Sequence, residues 1–243
     1  MKMLAFSKRC AKEILRDPLN ILFGIGFPVV LLLLLSAMQA NIPVELFAIE
    51  SLAPGTAVFG LSFMTLFSAT LIARDRETSF LQRLYTTPLK SSDFILGYML
   101  PLIPMAVFQT VVCYVVAAAL GLKISADIFL AIVMTIPAAV FYIALGLLCG
   151  SVFNVKQVGG ICGALLTNLS AWLSGIWFDI ELLGETFVKI ANIFPFIHAV
   201  EIERTVINGN FSAITEHLLP LIFYVVITAT GAVALFLQKM KKQ

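Results

Sequence analysis

Few of the residue types that do chemistry in proteins occur in this chain, and they are scattered along it. The two histidines, His198 and His217, are far apart in the sequence, and no cysteine accompanies them. The cysteines form no C-x-x-C pair, as expected of small apolar residues and not of metal ligands or a disulfide framework. They are Cys10, Cys113, Cys149 and Cys162. The sequence therefore predicts neither an enzyme nor a metal site.

The densest group of charged residues lies in the segment 74–92, which begins with Asp75-Arg76-Glu77. A short amphipathic helix is predicted after it, because Phe80 and Leu84 are i, i+4 neighbours on one side. Leu81 and Tyr85 extend this apolar cluster, and Pro88 ends the segment. A solvated connection has no use for such a cluster, so we expect it to dock on lipid or on a partner protein.

The elements that position this segment are six long apolar stretches without a charged residue in their interiors. About 20 helical residues cross a bilayer, and a charge at its centre costs at least about 2.5–3.5 kcal/mol. The stretches are 21–38, 53–73, 95–119, 128–152, 158–177 and 218–237. Apolar residues make up 60% of the chain and charged residues 12%. The sequence therefore predicts an all-α integral membrane protein with six transmembrane helices.

The distribution of basic residues predicts the orientation. If the N-terminus is cytoplasmic, only Lys123, Lys189 and Arg204 of the 16 lysines and arginines fall outside. Cytoplasmic loops are enriched in Lys and Arg, so both termini of this multi-pass protein are expected on the cytoplasmic side of the cell membrane. The leading segment 1–17 has one apolar and one basic face, which predicts an amphipathic helix lying on the inner leaflet.

The polar residues inside the apolar stretches are uncharged. A proton-coupled carrier usually keeps a carboxylate or histidine within its spans as a relay, and none occurs in these six stretches. This disfavours such a carrier and also an intramembrane hydrolase. The chain lacks the G-x-x-x-x-G-K-[ST] loop that cradles nucleotide phosphates, so the energy for any active transport must come from another subunit.

Glycines predict a close contact between two of the spans. Gly146 and Gly150 have G-x-x-x-G spacing, and so do Gly159 and Gly163. Small residues at this spacing let helix backbones approach each other. Because the short link 151–157 joins the two motifs, we expect a tight hairpin between the fourth and fifth spans.

In the segment 74–92 the sequence resembles the permease subunit of ABC-2 type transporters. The matching residues are Asp75-Arg76-Glu77-Thr78-Ser79-Phe80-Leu81-Gln82-Arg83-Leu84 and Thr87-Pro88, with Ser79 where the family often has Gly. Ser174-Gly175-Ile176-Trp177-Phe178, Pro195-Phe196-Ile197-His198-Ala199-Val200 and Arg16-Asp17-Pro18 also match. The resemblance covers the whole chain and is nearest to the drug- or lipid-efflux branch.

The resemblance implies an assembly. Two permease units would pair as a homodimer or close heterodimer, and each would dock a cytoplasmic ATPase that binds ATP and Mg. This chain would bind no cofactor of its own and no nucleic acid. The segment 74–92 would hold the coupling helix, and 178–216 would be an extracellular region with re-entrant helices. The implied coupling residues are Asp75, Arg76, Glu77, Phe80, Leu81, Arg83, Leu84 and Pro88.

The implied function is ATP-driven export of an amphiphilic, drug-like or lipid-like substrate along a pathway lined by the first, second and fifth spans. Thr167, Asn168 and Ser170 are candidate lining residues, although they equally suit hydrogen bonds between helices. Two alternatives stay open: a secondary, ion-coupled carrier, and a membrane assembly or immunity protein that transports nothing.

The orientation can be tested with single cysteines. Lys189→Cys should react with a membrane-impermeant thiol reagent added to intact cells, whereas Lys156→Cys should not, because the charge distribution places these positions on opposite sides. The unsubstituted chain, with its own four cysteines, is the control. The reverse labelling pattern would contradict the predicted orientation.

Overall fold

The computed structural model describes residues 2–43, 45–78, 91–178 and 180–241, and this part of the chain is helical without β-strands. The helices are α1 (Lys2–Arg16), α2 (Pro18–Gln39), α3 (Ile49–Glu77), α4 (Ser91–Met99), α5 (Leu102–Ala119), α6 (Ala126–Val152), α7 (Val155–Gly160, continued by Ile161–Leu166 and Thr167–Leu173), α8 (Glu185–Ala191), α9 (Pro195–Ile207) and α10 (Ile214–Lys241). The predicted helix around Phe80–Tyr85 lies outside the described residues.

Five helical segments in the described part are long and apolar enough to cross a membrane: α2, α3, α4 with α5, α6, and α10 with the turn before it. The predicted fifth span, 158–177, corresponds to α7, which is not among them. Lys156 and Gln157 in its first turn and Asn168 further along make α7 less apolar than the others. The count of six spans therefore stays a prediction.

Helix α3 is the centre of the bundle. Of its most apolar 18-residue stretch 89% is buried, against 28% for α2 and 11% for the last span. Helices α2, α5, α6, α7 and α9 surround it. Of the three spans that the resemblance assigned to the pathway, the second is thus enclosed within this subunit, and exposed faces remain on α2 and α7.

The ends of several helices meet at one end of the bundle. Phe6 of α1 contacts Phe94 of α4, with ring centroids 5.8 Å apart, and Phe94 contacts Phe236 of α10 at 6.2 Å. The N-terminal helix, the last turns of α10 and the two flanks of the 79–90 loop therefore share this end, which we call the loop end of the bundle.

The closest helix contact joins α6 to α3. A Cβ atom at Gly146 would lie 2.4 Å from the carbonyl oxygen of Thr65, and one at Gly150 would lie 2.5 Å from that of Ala69. Thr65 Oγ1 also donates to the carbonyl of Tyr142 at 2.9 Å. Glycine is required at both positions of α6 because the backbones of the two helices are in contact.

The glycines of the predicted hairpin between the fourth and fifth spans do not face each other, although α6 and α7 are in contact, with Tyr142 Oη 2.5 Å from Ser170 Oγ. A Cβ atom at Gly159 would meet nothing within 4 Å, and one at Gly163 would meet only the side chain of Leu66 on α3. The G-x-x-x-G motif of α6 packs against the backbone of α3 instead. The spacing indicated that two backbones approach each other but not which two.

The segment between α7 and α10 contributes a buried helix, α9, which packs against α3, α6 and α10. Its Glu203 is fully buried and accepts hydrogen bonds from Tyr114 Oη of α5 at 2.7 Å and Thr135 Oγ1 of α6 at 2.5 Å. These partners belong to the third and fourth spans, so a buried carboxylate contacts the spans although none lies within the six apolar stretches themselves. Sequence reasoning assigned Glu203 to an outside loop because its apolar surroundings are too short to cross a membrane.

The α3–α6 contact generates a stability prediction. Gly146→Ala should destabilise the protein by about 1–3 kcal/mol, because the added methyl group meets a backbone oxygen that cannot move aside. Gly159→Ala is the matched control, since its methyl group enters open space and alanine favours a helix by about 1 kcal/mol over glycine. The thermal unfolding midpoint in mild detergent measures both. Equal midpoints for the two variants would contradict the close contact.

Candidate functional site

The two flanks of the 79–90 loop are held by a buried ion pair. Asp75, in the last turn of α3, is 1% exposed. Arg9 of α1 donates to both of its carboxylate oxygens, Nη1 to Oδ2 at 2.5 Å and Nη2 to Oδ1 at 2.6 Å. Tyr98 Oη of α4 donates to Oδ2 at 2.8 Å. One carboxylate thus joins α1, the end of α3 before the loop and the last turn of α4 after it.

The ion pair is strong because it is bidentate and its carboxylate is buried. Parallel N–H···O bonds between a guanidinium and a carboxylate fix the geometry as well as the charges. Burial alone would lower the pKa of Arg9, but the hydrogen bonds and the negative charge of Asp75 raise it above its ordinary value. Arg9 is therefore permanently charged, and the buried carboxylate keeps its counter-ion.

Helix α1 is seated on α4 by its apolar stripe. Phe6 packs edge-on against Tyr98, with ring centroids 4.9 Å apart. A Cβ atom at Gly97 would lie 2.3 Å from Phe6 Cδ1, so only glycine admits this ring. Cys10 and Ile14, one and two turns further, are also buried, and burial raises the pKa of the Cys10 thiol to about 12. Cys10 therefore acts as a small apolar residue, as the sequence predicted.

A second carboxylate extends the cluster on the surface of α1. Glu13 Oε2 lies 2.8 Å from Arg9 Nη2, and Glu13 Oε1 lies 3.5 Å from Arg74 Nη1. These pairs are partly exposed, so each contributes only about 0.2–1 kcal/mol. They orient Arg9 toward Asp75.

The two residues after Asp75 bind the link between α6 and α7. Arg76 Nη1 donates to the carbonyl of Gly150 at 2.7 Å and to that of Phe153 at 3.3 Å. Glu77 Oε1 accepts from the backbone N–H of Val155 at 2.9 Å. Val155 is the first residue of α7, where a free N–H and the helix dipole both favour a carboxylate. The end of α3 therefore holds the fourth span and the start of α7 as well as α1.

These contacts place three of the predicted coupling residues. Asp75, Arg76 and Glu77 are bound within this chain at the base of the loop. The other predicted coupling residues, Phe80, Leu81, Arg83, Leu84 and Pro88, lie outside the described residues. Sequence reasoning missed Arg9 and Tyr98. The signal for Arg9 was its position beside the i, i+4 apolar stripe of α1, where a basic residue can bury its stem.

Comparison with known proteins decides the family. Residues 1–208 match the model of the ABC-2 type transporter family. The chain belongs to the ABC-2 type transporter family. It is 32% identical over 123 residues to the capsule polysaccharide export inner-membrane protein CtrC of Neisseria meningitidis serogroup B (strain ATCC BAA-335 / MC58). That match covers 50% of this chain and 46% of CtrC, so the chain spans less than half the length of this curated relative.

The family match confirms the resemblance identified from the sequence, that of an ABC-2 permease subunit. The three candidate pathway residues have different surroundings in this permease. Thr167 is buried and donates to the carbonyl of Cys162 at 2.9 Å. Ser170 is buried and lies 2.5 Å from Tyr142 Oη of α6. Asn168 is exposed, and its amide donates to the carbonyl of Ala164. All three thus make hydrogen bonds within the chain, and of the three Asn168 is the exposed one.

The buried ion pair generates a second prediction about stability. Arg9→Met should destabilise this ABC-2 permease near the lower end of about 3–5 kcal/mol, because Asp75 would be left buried without its counter-ion. The lower end applies because 35% of the Arg9 side chain is exposed. Adding Asp75→Asn to Arg9→Met should recover part of the loss, since the amide carries no charge. Thermal unfolding of the single and double variants measures the coupling energy.

Arg16→Met, at the exposed end of the same helix, is the control and should change the unfolding midpoint little. If Arg9→Met resembles Arg16→Met, the ion pair does not stabilise the loop base.

Proposed function

We propose that the chain is the membrane subunit of an ATP-driven exporter in which the segment 74–92 receives the motion of a separate cytoplasmic ATPase. The observation that supports this best is the base of the loop, where Asp75 binds Arg9 and Tyr98 at once. A solvated connection does not need a buried bidentate ion pair. A loop that transmits the motion of an ATPase must be attached rigidly to the helices that it moves.

The contacts at the base of the loop connect it to two groups of helices, so a movement of the loop can be transmitted in two ways. Through Asp75 it reaches α1 and the start of the third span. Through Arg76 and Glu77 it reaches the link between α6 and α7. We propose that Arg76 and Glu77 transmit the motion within the chain and that Phe80, Leu81 and Leu84 make the contact with the ATPase.

The exposed faces of the bundle support pairing with a second copy. Helices α2 and α7 flank the enclosed α3 and carry exposed apolar side chains, which are Phe23, Phe27, Val30, Leu33, Leu34, Leu165 and Trp172. Lipid or a second permease can cover such a face. We propose a homodimer with its pathway at the interface formed by these two helices, because α3 is enclosed within the subunit and cannot line it.

The character of these faces supports an amphiphilic substrate. The exposed residues of α2 are apolar over most of its length, and Asn168 adds one uncharged polar side chain on α7. Such a surface suits a drug-like or lipid-like molecule and not a small ion. A second candidate, a glycan carried on a lipid, is favoured by the relative CtrC, whose name describes capsule polysaccharide export.

The proposed coupling role of the 79–90 loop can be tested by alanine substitution. Phe80→Ala and Leu84→Ala should each abolish copurification of the ATPase and ATP-dependent transport of substrate into inverted vesicles. A buried apolar anchor contributes about 2 kcal/mol or more to an interface. Arg83→Ala should weaken both by less than about fivefold, because a charge at the rim contributes less than about 1 kcal/mol.

Native mass measurement of the same preparations should give two permeases for each pair of ATPases. If Phe80→Ala and Leu84→Ala leave copurification and efflux intact while the protein stays folded, the coupling assignment is wrong. Efflux that continues without ATP or an ATPase would instead support the ion-coupled carrier.

A further inference from the structure

The two histidines, which the sequence separates by 19 positions, are in contact in the fold. His198 is the fourth residue of α9 and His217 is the fourth residue of α10. Their Nδ1 atoms are 3.1 Å apart, and their ring centroids are 5.4 Å apart. The pair therefore joins the buried helix α9 to the start of the last span, at the end of the bundle opposite the loop end.

The hydrogen-bond partners fix the tautomer of His198. Its Nε2 lies 3.0 Å from the backbone carbonyl of Asn192, which can only accept a hydrogen bond, so Nε2 carries the proton. A neutral ring protonated at Nε2 directs the lone pair of Nδ1 toward His217.

The geometry points to a binding site for a divalent transition metal, with Nδ1 of His198 and Nδ1 of His217 as ligands. In a tetrahedral complex with Zn–N distances of 2.0–2.1 Å, two nitrogens lie about 3.3 Å apart. The observed 3.1 Å needs only a small separation of the rings. Metal-bound histidines almost always donate their other N–H to a carbonyl or carboxylate, as His198 does to Asn192.

Metal binding would leave the number of protons on the two imidazole rings unchanged. Without metal, Nδ1 of His217 carries the proton that bridges the two rings. With metal, that proton moves to Nε2 of the same ring through solvent, and both Nδ1 lone pairs bind the ion. Zn²⁺, Ni²⁺, Co²⁺ and Cu²⁺ all accept neutral imidazole.

The surroundings leave room for an ion from solvent. His217 is partly exposed, and Glu216 and Asn192 beside the pair are exposed. Among the described residues, no third His, Cys, Asp or Glu completes a cluster with metal-ligand spacing. The remaining positions would therefore be held by water, and the site would exchange metal with solvent.

The test uses full-length protein in nanodiscs, purified with a tag that contains no histidine. Ni²⁺ and Zn²⁺ should each raise the unfolding midpoint, because an ion that bridges α9 and α10 binds the folded state alone. His217→Asn should weaken metal affinity by at least about tenfold, the lower bound for loss of even an outer-shell partner. Asparagine can keep a hydrogen bond to His198, so this variant separates metal binding from the bond itself.

His198→Asn should weaken metal affinity as His217→Asn does. Glu216→Gln, which removes the neighbouring exposed carboxylate, should leave the metal affinity unchanged. Electron-spin-echo spectra of Cu²⁺ bound to the wild type provide a readout that needs no variant and should show two imidazole ligands. A wild type that binds none of these ions, or binding that survives loss of either histidine, would overturn the site.

Discussion

The arrangement at the loop end depends on one electrostatic constraint: a carboxylate buried at the end of a membrane-spanning helix must have a counter-ion. Asp75 is 1% exposed, and an unpaired charge in that position would cost several kcal/mol. Arg9 meets this requirement, and it can do so only if α1 lies against the ends of α3 and α4. The position of the N-terminal helix is therefore fixed by the charge at the base of the loop as much as by its apolar stripe.

The other buried carboxylate is satisfied differently. Glu203 receives hydrogen bonds from two hydroxyl groups, Tyr114 and Thr135, and no salt bridge to it occurs in the described part of the chain. Its partners come from α5 and α6, so the side chain ties α9 to the third and fourth spans. The two carboxylates thus do comparable structural work at opposite ends of the bundle, one with a cation and one with neutral donors.

The sequence predicted the class of fold because the absence of charge over about 20 residues is a strong local signal. The sequence was less informative where an apolar segment is short or where several neighbouring residues carry the same kind of pattern. Helix α9 is too short to read as a span, so Glu203 was assigned to an outside loop. Asp75 lies between Arg74 and Arg76, and nothing in that run of charges distinguishes the buried residue from its neighbours. The contact between His198 and His217 depends on the return of α9 against α10, which no local pattern encodes.

Helix α3 connects the two ends of the molecule directly. Its 29 residues give a rod about 44 Å long at 1.5 Å per residue, and its enclosure by the other helices restrains bending. At the loop end it is held through Asp75, Arg76 and Glu77. At the other end the carbonyl of Ser51 accepts a hydrogen bond from Arg204 of α9, whose guanidinium also binds the carbonyl of Gly175. A displacement of the loop base is therefore expected to reach α9 through this single helix, without passing through the lipid-facing spans.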